Sequence, residues 1–410
     1  MRSLITLLTL PAAALANLPS RPLTFRDDGT FRIAIFEDLH YGEYPDTYGP
    51  LQDALTTKVV TDVLDQEAET DFVVLNGDLI SRGNLFAHNS TEYLDQLVAP
   101  IIERNLTWGS TYGNHESNFV RHTDAVLERE QSWPNGRTRT MVPNTNLTDY
   151  GATNYYLPLF GSDCPSGCGC TPEIILWFFD SRFGHEHDER DDEGGFIFRP
   201  NWVHERVVEW FQAENERITT KFGKTIPAIT FVHMPFKVYM TIQSENGIDP
   251  RRNPGMNRDY YTGQADGWCA DGTPGCAYGG QDIPFMRAVS STPGMIGVFV
   301  GHHHGNSWCT KWTSDTLPEY VVQPEGEGLF LCFGQRTGYG GGGNWQRGSR
   351  QLLLEIDKIA RGEVETWIRL ENGEVVGAVS LNATYGEDLY PESPTRETYC
   401  EACKWQELSR

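Results

Sequence analysis

Short apolar runs that stop abruptly at polar residues recur along the chain. The clearest covers residues 295–300, where methionine, isoleucine, valine and phenylalanine are interrupted only by one glycine. Runs of this length and composition predict strands that are buried on both faces. On this basis we predict strands at residues 31–36, 71–75, 108–112, 174–179, 226–232, 295–300, 329–333, 351–356 and 363–370.

Apolar residues at helical spacing predict helices between several of these strands. Leu51, Leu55 and Val59 recur every four residues, which places them on one face of a helix. Residues 132–172 and 236–281 are instead rich in turn-forming residues, and we predict long loops there. The predicted helices lie at residues 51–68, 91–104, 117–131 and 201–218.

Side chains that can bind metals follow five of the predicted strands, at the point where each strand ends. In an extended segment alternate residues share a face, so His302 can converge with His304 while His303 points away. Burying many aspartates and histidines without partners is costly, and a shared metal site explains five such endings better than five unrelated core residues. The residues are Asp38, His40, Asp78, Asn114, His115, His233, His302 and His304.

The chemistry of these side chains indicates which metals they suit. Oxygen and imidazole ligands without thiolate fit zinc, manganese or iron. Their number exceeds what one tetrahedral ion needs, so we predict two ions. Two ions about 3.5–4 Å apart can together activate a water molecule and clamp a tetrahedral phosphoryl group. The pattern is therefore suited to chemistry on phosphoryl groups.

The same blocks resemble the calcineurin-like metallophosphoesterase superfamily, and they occur in that family's order between residues 31 and 305. The resemblance implies an α/β fold, a four-layer αββα sandwich of two mixed β-sheets flanked by helices, which the predicted strands and helices accommodate. Residues 301–309 and the glycine-rich stretch 339–350 also resemble the purple-acid-phosphatase-like phosphatases of plants and fungi. The matching blocks are Asp38-x-His40, Gly77-Asp78, Gly113-Asn114-His115-Glu116, His233 and Gly301-His302-x-His304.

The resemblance also implies a role for each site residue. Asp78 would bridge two metal ions, and a metal-bridging hydroxide would attack phosphorus in line. His115 would stabilise the transition state or protonate the leaving oxygen, and Glu116 is a candidate to orient it. His303 would lie behind the ligands or at the surface. One ion would be held by Asp38, His40, Asp78 and His304, and the other by Asp78, Asn114, His233 and His302.

Two positions depart from the pattern of true purple acid phosphatases. Those proteins have Asp-x-Gly where this chain has Asp38-Leu39-His40, and a tyrosine ligand where this chain has Ser81. Their purple colour comes from tyrosinate bound to ferric iron. We therefore predict that this protein is not purple, and the combination of iron, manganese and zinc stays open.

The N-terminus has the pattern of a secretory signal peptide. Arg2 precedes the apolar residues 4–10, and Ala14-Leu15-Ala16 has the small-x-small form of a cleavage site. We expect a signal peptide over residues 1–16 and one secreted catalytic domain with cysteine-containing loop insertions over 17–410. No other segment reaches the ~18 apolar residues that span a membrane. N-glycosylation sequons agree with export and lie at Asn89, Asn105, Asn146 and Asn382.

The chain has nine cysteines, which in an exported protein predict disulfides and one odd thiol. We expect Cys269 to pair with Cys276, and Cys400 with Cys403. A zinc site at residues 164–170 is the alternative to oxidation of the cysteines in that stretch.

Two further motifs are interpreted as loops. His185 and His187 stand among acidic residues and could form a second metal site, but the absence of periodicity favours a solvated loop. The glycine-rich residues 338–343 lack the strand and helix that flank a dinucleotide-binding loop, so we interpret them as a turn.

The net charge of −23 argues against a basic nucleic-acid-binding surface, so the expected partner is a small phosphate-ester substrate. The leading hypothesis is a secreted phosphomonoesterase. A phosphodiesterase acting on nucleotides or lipid head groups would use the same metals, and residues 236–281 would make the distinction. An inactive binding protein on this scaffold would have lost a ligand, and none is lost here. Arginines that could contact phosphate are Arg82, Arg251, Arg252 and Arg258.

Overall fold

A computed structural model describes residues 22–81, 91–118, 120–134, 137–141, 147–164 and 169–398. The strands are β1 (Leu23–Thr24), β2 (Thr30–Phe36), β3 (Phe72–Asn76), β4 (Thr107–Thr111), β5 (Tyr155–Phe160), β6 (Ile174–Phe179), β7 (His185–Arg190), β8 (Phe196–Phe198), β9 (Ala228–Val232), β10 (Asp266–Trp268), β11 (Pro274–Tyr278), β12 (Met295–Val300), β13 (Cys309–Trp312), β14 (Leu329–Phe333), β15 (Gly348–Glu355), β16 (Val364–Leu370) and β17 (Val375–Leu381). The helices are α1 (Gly49–Gln66), α2 (Tyr93–Glu103), α3 (Thr123–Gln131), α4 (Glu205–Phe222), α5 (Lys237–Thr241), α6 (Ile283–Ser291) and α7 (Ile356–Ile359).

Two mixed sheets form the centre of the fold. Sheet I has seven strands in the order β1-β5-β6-β9-β12-β14-β13, and sheet II has six in the order β17-β16-β15-β2-β3-β4. Strands β6, β9, β12 and β14 of sheet I are parallel, as are β2, β3 and β4 of sheet II. The predicted pair of mixed sheets is confirmed.

The sheets are buried on both faces, which explains the uninterrupted apolar runs in the sequence. In β3, Phe72 and Val74 belong to a core cluster with residues of sheet I, such as Phe231. Val73 and Leu75 alternate with them and belong to a second cluster, which includes residues of α1 and α2. A third cluster joins the outer face of sheet I to α4 and α6. The result is the four-layer sandwich that the resemblance implied.

All nine predicted strands and all four predicted helices are present, with ends that shift by a few residues. The helix predicted from residue 117 instead begins at Thr123, because Asn118 and Arg121 exchange backbone hydrogen bonds with each other in place of helical ones. Residues 183–195 were expected to be a solvated loop but contain β7, which pairs with β8 in a two-stranded hairpin. The predicted turn-rich segment 132–172 likewise contains β5, and the long loop 236–281 contains α5 and the hairpin β10–β11.

The C-terminal ends of the parallel strands in both sheets meet at one edge of the sandwich. His233 follows β9 of sheet I, and its Nδ1 donates to the carbonyl of Asn76 at the end of β3 in sheet II, at 2.8 Å. The side-chain amide of Asn76 donates back to the carbonyl of Phe299 in β12, at 3.5 Å. The loops that follow β2, β3, β4, β9 and β12 therefore surround a common space.

Three disulfides join Cys164 to Cys170, Cys269 to Cys276, and Cys309 to Cys332. The predicted pair Cys269–Cys276 is confirmed, and oxidation of Cys164 and Cys170 replaces the alternative zinc site. The third disulfide links the neighbouring strands β13 and β14.

In the described part of the chain, no helix is both long enough and apolar enough to cross a membrane. Outside the described residues lie the signal peptide, Arg82, Asn89, Asn146, Cys168, Cys400 and Cys403.

Candidate metal centre

Four of the predicted ligands have a left-handed backbone conformation. The φ angle is +52° at Asp38, His40 and Asp78 and +70° at His302. Residues other than glycine seldom adopt such angles, and each instance costs about 1–3 kcal/mol. Backbone strain of this kind is typical of functional sites, where the surrounding structure holds side chains in a required direction. Here it concentrates in the turns that follow β2, β3 and β12.

The structure brings the predicted histidines and aspartates together in three overlapping groups. Within each group one possible ligand atom per residue lies within 4.8 Å of the others. Asp78 and His40 each belong to two groups, so the groups form one continuous cluster. The groups are Asp38, His40 and His304; His40, Asp78 and His115; and Asp78, His233 and His302.

The first group is held by hydrogen bonds that leave ring nitrogens facing inward. His304 Nδ1 donates to the carbonyl of Gly342 at 2.8 Å, so its Nε2 carries the lone pair. That Nε2 lies 3.0 Å from Nε2 of His40 and 3.5 Å from Oδ1 of Asp38. Two imidazole nitrogens and a carboxylate oxygen at these distances can share one cation.

The other end of the cluster is built in the same way around His233. Because Nδ1 of His233 donates to the Asn76 carbonyl, its Nε2 faces Oδ2 of Asp78 at 3.2 Å. The same Oδ2 lies 3.7 Å from Nε2 of His40 in the first group. Asp78 therefore stands between the two ends of the cluster, where a single carboxylate can contact two cations.

Unpaired polar atoms test whether these residues fit metal ions. Oδ1 of Asn114, Nε2 of His233 and Nε2 of His302 are buried and make no hydrogen bond among the described residues. Leaving such atoms unpaired in the interior costs about 1–3 kcal/mol each. All three belong to predicted ligands, and all three are atoms that can coordinate a cation. The donor set therefore fits metal ions.

Asp78 and the histidines of the cluster shift one another's pKa values strongly. Burial alone would raise the pKa of Asp78, but His115 and His233 outweigh it and hold the pKa well below its usual value. Burial lowers the pKa of His233, yet Asp78 reverses this effect and raises the pKa to about 10. Burial keeps the pKa values of His40 and His302 well below normal. The neutral imidazoles of His40 and His302 and the ionised carboxylate of Asp78 are in the protonation states that metal ligands require. His233, by contrast, must release its proton when a metal ion binds.

Sequence comparison places this cluster in a known family. The family model described as calcineurin-like phosphoesterase matches residues 31–306, which span every predicted ligand. The chain belongs to the calcineurin-like phosphoesterase family. Membership implies divalent metal ions, and the clustered histidines and aspartates of this phosphoesterase supply suitable ligands.

Curated relatives and solved structures agree with this assignment. "Probable inactive purple acid phosphatase 14" of Arabidopsis thaliana is 23% identical over 384 residues, which cover 86% of this chain and 83% of that protein. "Phosphatase DCR2" of Saccharomyces cerevisiae is 25% identical over 358 residues, covering 84% of this chain and 54% of that protein. The crystal structure of a dimetal phosphatase from Danio rerio shares the fold, with a TM-score of 0.50 at 13% identity, covering 86% of this chain and 99% of that one. The expected resemblance to purple-acid-phosphatase-like proteins is confirmed.

Glu116 holds the backbone of the phosphoesterase site. Its buried carboxylate accepts hydrogen bonds from the backbone amides of Asp78, Leu79, Ile80 and Gly113, at 2.6–3.2 Å. These bonds tie the turn after β3 to the turn after β4. They point to a positioning role for Glu116 and give no support to its predicted role of orienting the His115 ring.

His115 and His303 occupy different places in the site. The His115 side chain is 22% exposed, and its ring meets the edge of His40 at a centroid distance of 4.5 Å. His303 is buried and turned away, with its ring nitrogens 3.3 Å from the Thr262 carbonyl and 3.1 Å from Asn306 Nδ2. His303 therefore supports the turn from behind the ligands, which was one of its two expected positions.

Close approach at two glycines lets the ligands converge. A Cβ atom on Gly113 would lie 2.4 Å from Asp78 Oδ1 and 2.6 Å from His233 Cδ2. A Cβ atom on Gly77, where φ is +90°, would lie 2.4 Å from His233 Nδ1. Both glycines stand in the sequence motifs, and the structure gives the reason: a side chain at either position would occupy the space of a ligand.

Three polar residues beside the ligands were missed by the sequence analysis. Asn76 fixes the ring of His233 and donates to Oε2 of the buried Glu37 at 3.0 Å. Arg121 is buried and donates to the backbone carbonyls of Glu116 and His115, at 3.1 and 2.7 Å. Glu37 and Asn76 immediately precede motif residues, which is a signal that could have indicated them. Arg121 had no such signal.

The segment 236–281 reaches the metal cluster through Tyr261. The Tyr261 ring is 60% exposed and lies 5.2 Å from the His302 ring, centroid to centroid. The backbone amides of the nearby residues Arg258 and Asp259 both donate to Oδ1 of Asn306 at 3.1 Å. These bonds attach the segment to the turn that follows β12. Of the candidate arginines, Arg252 is engaged elsewhere, since it donates to the Gly386 carbonyl. Arg258 is exposed beside the site.

Proposed function

We propose that this phosphoesterase is a secreted phosphomonoesterase whose site holds two metal ions. The observation that carries the proposal is the position of Asp78, whose Oδ2 lies 3.2 Å from Nε2 of His233 and 3.7 Å from Nε2 of His40. A carboxylate between two sets of inward-facing imidazoles is suited to bridging two ions.

In this proposal, each ion has its own set of ligands around the shared Asp78. Two such ions, when bound, neutralise phosphoryl oxygens and make a water molecule more acidic. Each of the two metals is iron, manganese or zinc. Ser81 stands where a tyrosine ligand would give a purple colour, so we expect a colourless protein. The first set is Asp38, His40, Asp78 and His304, and the second is Asp78, Asn114, His233 and His302.

The chain's own residues orient the substrate and move a proton. His115 lies at the rim of the cluster, with its backbone amide donating to Asp78 Oδ1 at 2.8 Å and its ring partly exposed. From there its imidazole can donate a proton to the leaving oxygen of the ester. Arg121 and Glu116 hold the backbone of this turn, so the His115 ring is presented from a fixed position.

An inactive protein is the contrasting possibility, since "Probable inactive purple acid phosphatase 14" is among the relatives. The complete set of predicted ligands supports activity instead, because the buried Oδ1 of Asn114 and Nε2 of His302 have no hydrogen-bond partner among the described residues. Maintaining strained turns and unpaired atoms has a stability cost that a binding scaffold has no reason to bear.

A phosphodiesterase is the second candidate function. Tyr261 is 60% exposed and its ring lies 5.2 Å from that of His302, so a second ester group could rest on it beside the metal cluster. We favour the monoesterase because the exposed Arg258 on the same segment suits the extra negative charge of a monoester.

Secretion and the single-domain organisation over residues 17–410 are part of the proposal. Three disulfides among the described cysteines support an oxidising compartment. The sequons at Asn105 and Asn382 lie at residues with exposed or half-buried side chains.

One comparison tests the proposed reaction. Purified protein loaded with zinc, manganese or iron would be assayed with p-nitrophenyl phosphate and with bis-p-nitrophenyl phosphate. We expect a strong preference for the monoester. A preference for the diester would replace the monoesterase by the second candidate, and no turnover of either ester with both ions bound would favour the inactive protein.

A further inference from the structure

The glycine-rich loop 338–343 forms a wall of the metal cluster. It follows β14, and the backbone amide of Gly338 donates to the carbonyl of Asp38 at 3.0 Å. A Cβ atom on Gly341, where φ is +71°, would lie 2.7 Å from His40 Cδ2 and 2.9 Å from His304 Cε1. The carbonyl of Gly342 accepts the hydrogen bond from His304 Nδ1. The loop therefore contacts both histidines of one group.

Arg336 holds this loop from behind. Its side chain is fully buried. Its three guanidinium nitrogens donate to loop carbonyls, with distances of 3.0 Å to Gly338, 2.5 Å to Gly342 and 2.7 Å to Gly343, and also bond Gly340 and Gly341.

The convergence of five carbonyl dipoles explains why an arginine occupies this position. Such carbonyls repel one another unless a cation with several donors lies between them, and a guanidinium offers five N–H groups in a planar fork. A lysine ammonium offers three donors on one atom and cannot span the same loop. Without Arg336 the Gly342 carbonyl that fixes His304 loses its guanidinium donor. Arg347 would still donate to the carbonyls of Gly338 and Gly343.

The loop is tied to the rest of the site at a second point. The backbone amide of Gly341 donates to Oε2 of Glu43 at 2.7 Å, and Glu43 lies three residues after His40. The loop therefore bonds the outer nitrogen of His304 through Gly342, whereas it contacts the His40 ring by packing at Gly341. Partners that bond the outer nitrogen of a metal-binding histidine set its orientation and basicity, and losing them typically costs about 10–100-fold in metal affinity.

We propose that Arg336 and the glycine loop 338–343 position His40 and His304 and thereby set the affinity of one of the two metal ions. This inference rests on the proposed metal centre and goes beyond it, since it assigns the ion at Asp38, His40 and His304 its own positioning device. Arg336 is a positioning residue that acts through Gly342. The ion at Asn114, His233 and His302 does not depend on it.

Two adjacent glycines provide a matched pair of variants. Gly341→Ala places a methyl group against both histidine rings at a left-handed backbone position. Gly342→Ala adds the same methyl group one residue later, where no atom lies within 4 Å, and it preserves the carbonyl that His304 uses. Arg336→Lys tests the guanidinium directly. If Arg336→Lys fails to fold, the glycine pair still decides the outcome.

The experiment measures metal binding and does not require activity. Metal-free wild type and the three variants would be titrated with Zn²⁺ by calorimetry, and thermal unfolding of each metal-free protein would be recorded. We expect wild type and Gly342→Ala to bind two ions equally well. Gly341→Ala and Arg336→Lys should retain one ion at wild-type affinity and bind the other about 10-fold or more weakly.

The opposing outcomes are distinct. Wild-type affinity for both ions in Gly341→Ala and Arg336→Lys would overturn the inference while leaving the metal centre intact. Equal weakening in Gly342→Ala would also overturn it, because a general effect on the loop would then explain the loss. A wild-type protein that binds no Zn²⁺ would refute the proposed metal centre itself, and the inference with it.

Discussion

Nε2 of His233 lies 3.2 Å from Oδ2 of Asp78, although the two residues follow strands of different sheets. The opposite ring nitrogen of His233 is fixed by the carbonyl of Asn76, two residues before Asp78. One short segment therefore both orients the histidine and supplies the carboxylate that it faces. This arrangement couples the two sheets through the site, so the predictions below begin with it.

Replacing Asp78 by Asn or His233 by Ala should abolish phosphatase activity while leaving the protein folded. Each change removes a proposed ligand. The loss of activity should therefore exceed about 10–100-fold, which is typical when a residue that only hydrogen-bonds a ligand is replaced. Metal content after dialysis, phosphate release and circular dichroism would be measured together. His187→Ala alters a histidine outside the cluster and serves as the control. Full activity in both variants would contradict the two-metal assignment.

Replacing His115 by Ala should slow hydrolysis most for esters with poor leaving groups. A proton donor contributes roughly 10²–10⁴-fold when the leaving oxygen must be protonated, and p-nitrophenolate needs little such help. The ratio of kcat for p-nitrophenyl phosphate and an alkyl phosphate would be compared between wild type and variant. Both ions should remain bound. Loss of one ion would instead identify His115 as a ligand, which its place beside His40 and Asp78 allows.

Tyr261→Leu should raise KM for aryl phosphates by about 2- to 10-fold, the equivalent of an aromatic pair worth ~0.5–1.5 kcal/mol. The exposed Tyr261 ring lies beside His302, where the leaving group of a bound ester would be. Leucine retains apolar volume but cannot stack. Tyr260→Leu, at the neighbouring and more exposed ring, is the matched control. Equal KM changes in both variants, or an equal change for an alkyl ester, would argue against stacking by Tyr261.

Ionisation of the Asp282 carboxyl should lower the free energy of unfolding as pH rises from 4.5 to 7. Burial raises the pKa of this carboxyl to about 6, even though the Tyr278 hydroxyl and the Lys237 amide both donate to it. Between pH ~4 and ~6 the folded protein keeps a proton that the unfolded chain has released, so the contribution of Asp282 to the unfolding free energy falls with rising pH.

Urea unfolding of wild type and Asp282→Asn at pH 4.5 and 7 would measure this effect. The uncharged asparagine does not titrate, so the wild type should lose about 2 kcal/mol more than the variant over this interval. Parallel pH dependences in the two proteins would show that Asp282 is ionised throughout.

Removing the disulfide Cys309–Cys332 should destabilise the protein by about 3.4 kcal/mol, on the loop-closure estimate for a sequence separation of 23. Removing Cys269–Cys276, with a separation of 7, should cost about 1 kcal/mol less. Paired alanine variants would be compared by urea unfolding. The order of the two losses is the decisive result, and a larger loss at Cys269–Cys276 would contradict it.

The sequence determined most of the sheet framework and the ligand set. Runs such as residues 295–300 predicted strands correctly because a strand buried on both faces must be apolar at every position. The motifs around Asp78 and His302 indicated the cluster because the strands that precede them are parallel within each sheet and end at the same edge. Such signals are local, and a linear pattern records them.

Only the tertiary structure decided how each side chain is used. Glu116 was expected beside the His115 ring, but its carboxylate bonds the backbone amides of Asp78, Leu79, Ile80 and Gly113. Arg336 carried no signal in the sequence, yet it organises the loop that fixes His304. The physical reason is that backbone amides and carbonyls are the same at every residue. Which of them a buried carboxylate or guanidinium meets depends on how turns from distant parts of the chain pack together.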